Sequence, residues 1–164
     1  RAALKREGGG MDPDLVAAIL REHAGRLVEA TAAPSASEAL LRLLDRDQIL
    51  RHRTLLERPL QQLAMAYLLT RGPRGPLDPE AAFHLANGAR LETLRPFADP
   101  SARGLALSLG VMANYRYVPE DFEENHERFV ETGEIPLARG LARCKREVEA
   151  ARRSGRRKGS APQG

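Results

Sequence analysis

Tryptophan is absent from this 164-residue sequence, and cysteine occurs once. The lone Cys144 excludes an internal disulfide framework and a cysteine-built zinc cluster, and it suits a reducing compartment, the cytoplasm. Aromatic residues make up only 4%, and all seven fall between Tyr67 and Phe129. The first 66 residues therefore pack with Leu, Ile, Val and Ala, which favours helices. Long apolar runs are missing too. The longest, Leu63 to Leu69, has seven residues, against the roughly 20 that a membrane span needs. A membrane is not an expected partner.

The formal charge is +4, but Arg152, Arg153, Arg156, Arg157 and Lys158 supply five positive charges with no acid after them. Residues 1–151 are thus one unit negative. A nearly neutral body with a short basic end lacks the cationic face that binds a phosphate backbone, so nucleic acid is not an expected partner. Residues 151–164 read as a disordered basic tail, and residues 1–10, ending in Gly8-Gly9-Gly10, as a flexible start.

What is present is helical periodicity. Asp12-Pro13 gives a cap followed by proline at the first helical position. Leu15, Ile19, Leu20 and Leu27 continue one apolar face to about Thr31. Ser37 is the expected cap of a short helix carrying Leu40, Leu41, Leu43 and Leu44. Helices follow over about Asp47–Glu57 and Pro59–Thr70, with Pro59 opening a new helix or kinking one. The run from Arg71 to Pro76 reads as a loop. Asp78-Pro79-Glu80 caps a helix that stops at Asn87-Gly88. Residues Ala89–Leu94 alternate as a strand. Asp99-Pro100-Ser101 opens a helix reaching about Asn114, and Tyr115–Val118 is a second strand. Pro119 opens an acidic helix, and Pro136 the last one. The expected class is α+β, mostly helical with two short strands. Two strands rarely stand alone, so their partners are expected outside this chain.

Each of the four histidines has a structural explanation. His23 belongs to a packed helix edge, His52 to a solvated face, and His126 to a charged helix surface. No spacing matches a metal site, and no metal or other cofactor is expected. Neither a Gly-x-Gly-x-x-Gly run, a Walker loop nor a Gly-x-Ser-x-Gly elbow occurs. Ala102, Gly104, Ala106, Ser108, Gly110 and Ala113 allow close backbone approach, for helix packing or for a thin substrate arm. His84 sits in the last turn of its helix between Phe83 and Leu85. Helix-end carbonyls favour a protonated imidazole and apolar neighbours disfavour it, the balance a general acid or base requires. From periodicity alone a satisfied, buried histidine is the favoured reading over a catalytic one.

The segment from Asp78 to Leu91, with Phe83-His84-Leu85 and Asn87-Gly88-Ala89 in it, is followed by Ala98-Asp99, Gly104-Leu105 and Gly110-Val111-Met112-Ala113-Asn114-Tyr115-Arg116-Tyr117. This pattern resembles the C-terminal part of the malonyl-CoA decarboxylase family. Leu55 to Ala64, with Tyr67-Leu68, fits the helix preceding that motif. The likeness is close over residues 46–117 and looser over 11–45 and 118–150. It implies that residues 11–150 are the C-terminal part of a catalytic domain with an acetyltransferase-like (GNAT-like) acyl-CoA fold. That domain would convert malonyl-CoA to acetyl-CoA and CO2 without a metal or organic cofactor.

The family's chemistry is attributed to a serine–histidine pair, and its histidine maps onto His84. The serine, in a Ser-Pro-Ile-Pro-Gly-Phe type motif, has no counterpart here and would lie upstream of Arg1. The pantetheine-receiving strand would lie there too, with a helical domain that makes a homo-oligomer. The chain is then a fragment, inactive alone. Asn114 and Tyr117, near the second strand, are candidate substrate-binding residues, or simply a helix cap and a packed tyrosine. His84 would be fixed by Asn87 beside it. The competing readings are an acyl-CoA acyltransferase on the same scaffold and a non-catalytic helical interaction module.

Overall fold

The computed structural model describes residues 10–44, 46–72 and 75–159. The flexible start expected over residues 1–10 lies outside them except for Gly10. The chain opens with α1 (Pro13–Arg21), where the Asp12 carboxylate accepts the Asp14 N–H at 2.9 Å. The expected single helix to Thr31 breaks at Glu22-His23. There the N–H groups of Glu22 and His23 turn back onto Ile19 and Leu20, one residue short of α-helical spacing. α2 (Ala24–Thr31) then sets off in a new direction that buries Leu27 completely. α3 (Ala36–Leu43) is capped by Ser35 rather than Ser37, its hydroxyl accepting the Glu38 N–H at 3.2 Å.

The next boundary also shifts. α4 (Arg46–Arg51) ends before His52, and α5 (Arg53–Leu68) runs through Pro59 without stopping. An interior proline costs about 3 kcal/mol. Pro59, Leu56 and Leu60 are all almost fully buried, and each buried aliphatic side chain returns roughly 1.5–3 kcal/mol. Packing wins over the local penalty, and the helix survives its proline.

The expected loop over Arg71–Pro76 carries a minimal hairpin, β1 (Arg71–Gly72) against β2 (Gly75–Pro76). α6 (Pro79–Ala86) follows, capped by Asp78 at 2.7 Å from the Ala81 N–H. β3 (Arg90–Arg95) then leads to α7 (Ala102–Ser108). Ser101 is the cap of α7, accepting the Gly104 N–H at 3.0 Å. The helix ends well before Asn114, because Leu109 and Gly110 both take left-handed φ, 56° and 76°. The chain is thereby turned into β4 (Met112–Arg116), three residues earlier than the expected strand. A side chain at Gly104 would collide with Asp99, so that small residue serves packing, not a substrate arm.

β3 and β4 pair antiparallel, with a bulge at Glu92 between the Leu91–Tyr115 and Thr93–Asn114 pairs. The other side of Leu91 is also occupied. It donates to the Pro136 carbonyl at 2.8 Å and accepts from the Ala138 N–H at 2.9 Å. An isolated bridge between Leu91 and Leu137 thus occupies part of the outer edge of β3 from within the chain. That use of Pro136–Ala138 keeps the last helix from starting at Pro136.

Beyond β4, a 3₁₀ turn (Pro119–Asp121) leads into α8 (Phe122–Glu127) and a π turn (Arg128–Thr132). A second 3₁₀ turn (Arg139–Leu141) precedes α9 (Ala142–Gly159). α9 corrects the disordered-tail expectation as far as Gly159. Leu141, Cys144, Val148, Ala151 and Gly155 recur at three- and four-residue offsets and are all buried. Gly155 lets α9 approach closely, since a Cβ there would lie 3.3 Å from the Asp14 carbonyl oxygen on α1. Residues 160–164 of that expected tail lie outside the described residues.

One apolar cluster joins these parts, from Leu15, Ile19 and Leu27 through Ile49, Leu56 and Met65 to Leu85, Leu91 and Val148. Its helical half is aliphatic, as the aromatic distribution requires. The class is α+β, mostly helical with two small antiparallel sheets. Among the described residues no helix is long and apolar enough to cross a membrane.

Candidate active site

The site begins at the C-terminal end of α6. Asn87 and Gly88 close this helix with a paired turn: the Ala89 N–H reaches the His84 carbonyl at 3.1 Å, and the Gly88 N–H reaches that of Leu85 at 3.1 Å. Gly88 supplies the left-handed φ of 76°. The backbone of His84 is thereby locked into a capped helix end, with the side chain half-buried.

Two tyrosines hold the imidazole, Tyr115 in β4 and Tyr117 just past its end. The Tyr115 ring stacks on it, centroids 4.6 Å apart and planes 16° apart. The Tyr117 hydroxyl lies 2.9 Å from Nδ1, a hydrogen bond whose direction follows the tautomer. Phe83 meets the ring edge-on at 5.4 Å and is itself 64% exposed. Asn87 does not hold the ring as expected; its amide donates instead to the Phe83 carbonyl at 2.7 Å.

Side chains along a strand alternate between faces, and this sorts the sequence-read candidates. Tyr115 and Tyr117 share the His84 side of the β4 segment. Asn114 belongs to the opposite side, where it is exposed and donates across the sheet to the Thr93 hydroxyl at 3.0 Å. Tyr117 and His84 are brought together; Asn114 is not. Sequence reasoning missed Tyr115. The signal was available, because a strand read as starting at Tyr115 already places Tyr115 and Tyr117 on one face.

Burial pushes the Tyr115 phenol above its ordinary range, helped by the negative charges of Asp78 and Glu80. The ring stacked on His84 therefore stays uncharged. Beyond Tyr117 a cleft of about 430 Å³ opens, lined by Tyr117, Val118, Pro119, Glu120, Phe122 and Glu123. Its apolar wall suits a thin uncharged chain. Its two glutamates make it a poor seat for phosphates.

The remaining histidines have other duties. His23, in the break between α1 and α2, is buried with Nε2 2.6 Å from the Gln62 Oε1. His126 is exposed with Nδ1 2.6 Å from the Ala86 carbonyl, at the closing end of α6. His52 sits at the start of α5. Among the described residues no three His, Cys, Asp or Glu side chains gather as metal ligands.

The described residues form a helix-rich α+β unit that presents one histidine at a helix end, held by two tyrosines, one of which lines a cleft. The chain belongs to the malonyl-CoA decarboxylase C-terminal domain family, whose model matches residues 13–155. It is 39% identical over 105 residues to the mitochondrial malonyl-CoA decarboxylase of Anser anser anser, covering 62% of this chain and 21% of that protein. The mitochondrial malonyl-CoA decarboxylase of Rattus norvegicus is 44% identical over 71 residues, covering 43% of this chain and 14% of that one.

Among solved structures, malonyl-CoA decarboxylase from Cupriavidus metallidurans superposes with a TM-score of 0.65 at 31% identity, covering 82% of this chain and 34% of that one. The enzyme from Rhodopseudomonas palustris gives 0.54 at 39% identity, covering 74% and 25%. The chain thus spans about a fifth of the goose protein and a quarter to a third of these structures.

Proposed function

We propose that this chain is the C-terminal part of a catalytic unit that decarboxylates malonyl-CoA to acetyl-CoA and CO2, with His84 handling the proton. Family membership supplies the reaction. The observation that carries the residue assignment is the His84 imidazole, half-buried, stacked on one face and hydrogen-bonded at Nδ1 to Tyr117, which lines the cleft.

In the reaction the bond between the malonyl methylene carbon and the carboxylate carbon breaks. CO2 leaves, and the bonding pair becomes the enolate of the thioester. Donors preorganised at the thioester oxygen stabilise that developing charge. The enolate carbon then takes a proton, giving acetyl-CoA. With Nδ1 held by the Tyr117 hydroxyl, Nε2 is the nitrogen left for the substrate; an imidazolium that gives its Nε2 proton to the enolate carbon becomes a neutral ring, which takes up a proton again from solvent or through a partner. The upstream serine implied by the family motif is that partner. Tyr117 reaches both His84 and the cleft, which suits a substrate-lining role; Asn114, on the other face, is dropped from the site.

The acetyltransferase-like scaffold for residues 11–150, the missing pantetheine strand and oligomerisation through a helical domain outside this sequence all belong to the same proposal. So does the inactivity of this segment alone. A reducing cytoplasm suits the single thiol; the vertebrate relatives carry a mitochondrial name.

The test is acetyl-CoA release from malonyl-CoA by the intact protein beside its His84→Ala variant. Turnover is expected to fall about 10²–10⁴-fold, the usual range for losing a general acid–base, with thermal unfolding unchanged. A parent that never turns over malonyl-CoA removes the substrate assignment. A variant as active as the parent makes His84 structural.

A further inference from the structure

Tyr115 takes part in two separate arrangements. Its backbone pairs with Leu91, a fully buried residue at the bulge of the sheet. Its ring lies parallel to the His84 imidazole, 4.6 Å away. The two tyrosines constrain different motions. The hydrogen bond between Nδ1 and the Tyr117 hydroxyl leaves the imidazole able to swing about that bond, because the terminal torsion of a histidine side chain is broad. A flat ring against one face removes that swing but leaves rotation within the plane. Together they fix both the plane of the ring and the direction of its second nitrogen. The phenol of Tyr115 is kept neutral by burial and by the charges of Asp78 and Glu80, so the stacking surface is the same across the working pH range.

Building on the assignment of the proton-handling role to His84, we infer that Tyr115 is a positioning residue for that reaction, acting through the face of its ring and not through its hydroxyl. The chemical requirement is directional. The proton must be delivered to one carbon of the enolate, and misplacing a reacting group by about 1 Å can cost about 100-fold.

The experiment compares Tyr115→Phe and Tyr115→Met in the intact protein, reading kcat and KM for malonyl-CoA separately. Met fills a similar apolar space without a flat ring. Tyr115→Phe is expected to keep kcat within about threefold, and Tyr115→Met to lower it by about 10- to 100-fold with KM little changed. Nitrogen-15 spectra of the His84 imidazole give a readout independent of turnover. One tautomer is expected in the wild type and in Tyr115→Phe, and an averaged ring in Tyr115→Met.

An undiminished kcat in Tyr115→Met overturns the inference. A Phe variant as impaired as the Met variant does so too, since the hydroxyl would then be the active part. If Tyr115→Met does not fold, the wild-type proton spectrum decides. The His84 ring protons must be shifted upfield of those of His52 and His126 by the stacked ring, and their absence from that position rejects it. A parent inert toward malonyl-CoA rejects the proposed reaction, while the imidazole spectra still judge Tyr115.

Discussion

Cys144 is far more deeply buried than the half-exposed His84. The thiol is 1% exposed on α9, with Sγ 3.8 Å from the Gln61 carbonyl. Burial, with a smaller push from the Glu147 charge, raises its pKa to about 11 against the downward pull of Arg58. A protonated, inaccessible thiol is not a nucleophile. A disulfide reagent at pH 8 should therefore leave the native protein unlabelled and modify one thiol per chain after denaturation; rapid native labelling would contradict this. The two residues were unequally legible in the sequence. Cys144 falls on the apolar stripe of its helix, so its burial could be read directly. For His84, periodicity gave a helix end and apolar neighbours, while the ring's stacking partner came from a strand 31 residues away in sequence.

At the scale of elements, the end of α6 depends on α8. Asn125 is buried and donates to the Gly88 carbonyl at 3.2 Å, and His126 meets the Ala86 carbonyl. A Cβ on Gly88 would lie 2.6 Å from the Phe122 carbonyl oxygen and 2.7 Å from its ring, at a φ that side chains disfavour. Gly88→Ala combines a positive-φ strain with overpacking against backbone, and a loss of about 1–3 kcal/mol is expected. Urea unfolding measures it, and a variant as stable as the parent would show that the α6–α8 contact yields. The sequence pair Asn87-Gly88 announced where α6 stops, because few residues tolerate the left-handed position. It could not announce α8 as the element lying over that stop.

Across the whole molecule, α1, α5 and α9 meet at a half-buried polar knot. Glu147 on α9 pairs with Arg58 of α5 and with Arg143, and accepts from the Gln62 amide at 2.8 Å. Gln62 in turn holds His23, whose Nδ1 is buried without a partner. Burial opposes the charge on Glu147, but the hydrogen bonds from Arg143 and Gln62 and the Arg58 guanidinium outweigh it, and its pKa lies below the ordinary 4.5. A carboxylate depressed on folding stabilises the native state above its unfolded value, and that contribution is lost as pH falls through the lower folded value. Stability should thus decline below about pH 4.5. Glu147→Gln should flatten that acid limb and lower stability at pH 7 by about 1.5–3 kcal/mol, the scale of hydrogen bonds to a charged group. An unchanged acid limb in the variant would assign the decline to other carboxylates.

What the sequence determined by itself was local. Asp12-Pro13, Asp78-Pro79 and Asn87-Gly88 marked helix ends, because caps, proline and left-handed φ act within a few residues. The motif from Phe83 to Tyr117 identified the family and singled out His84 and Tyr117. Tertiary structure decided whatever depended on burial at a distance. It carried α5 through Pro59, because the buried neighbours offset the lost hydrogen bond. It ended α7 at Leu109-Gly110 and paired β3 with β4, and it kept α9 helical beyond Ala151 by laying Gly155 on α1. It also placed Tyr115 on the imidazole and Asn114 on the opposite face, since a strand's register is set by the partner it meets.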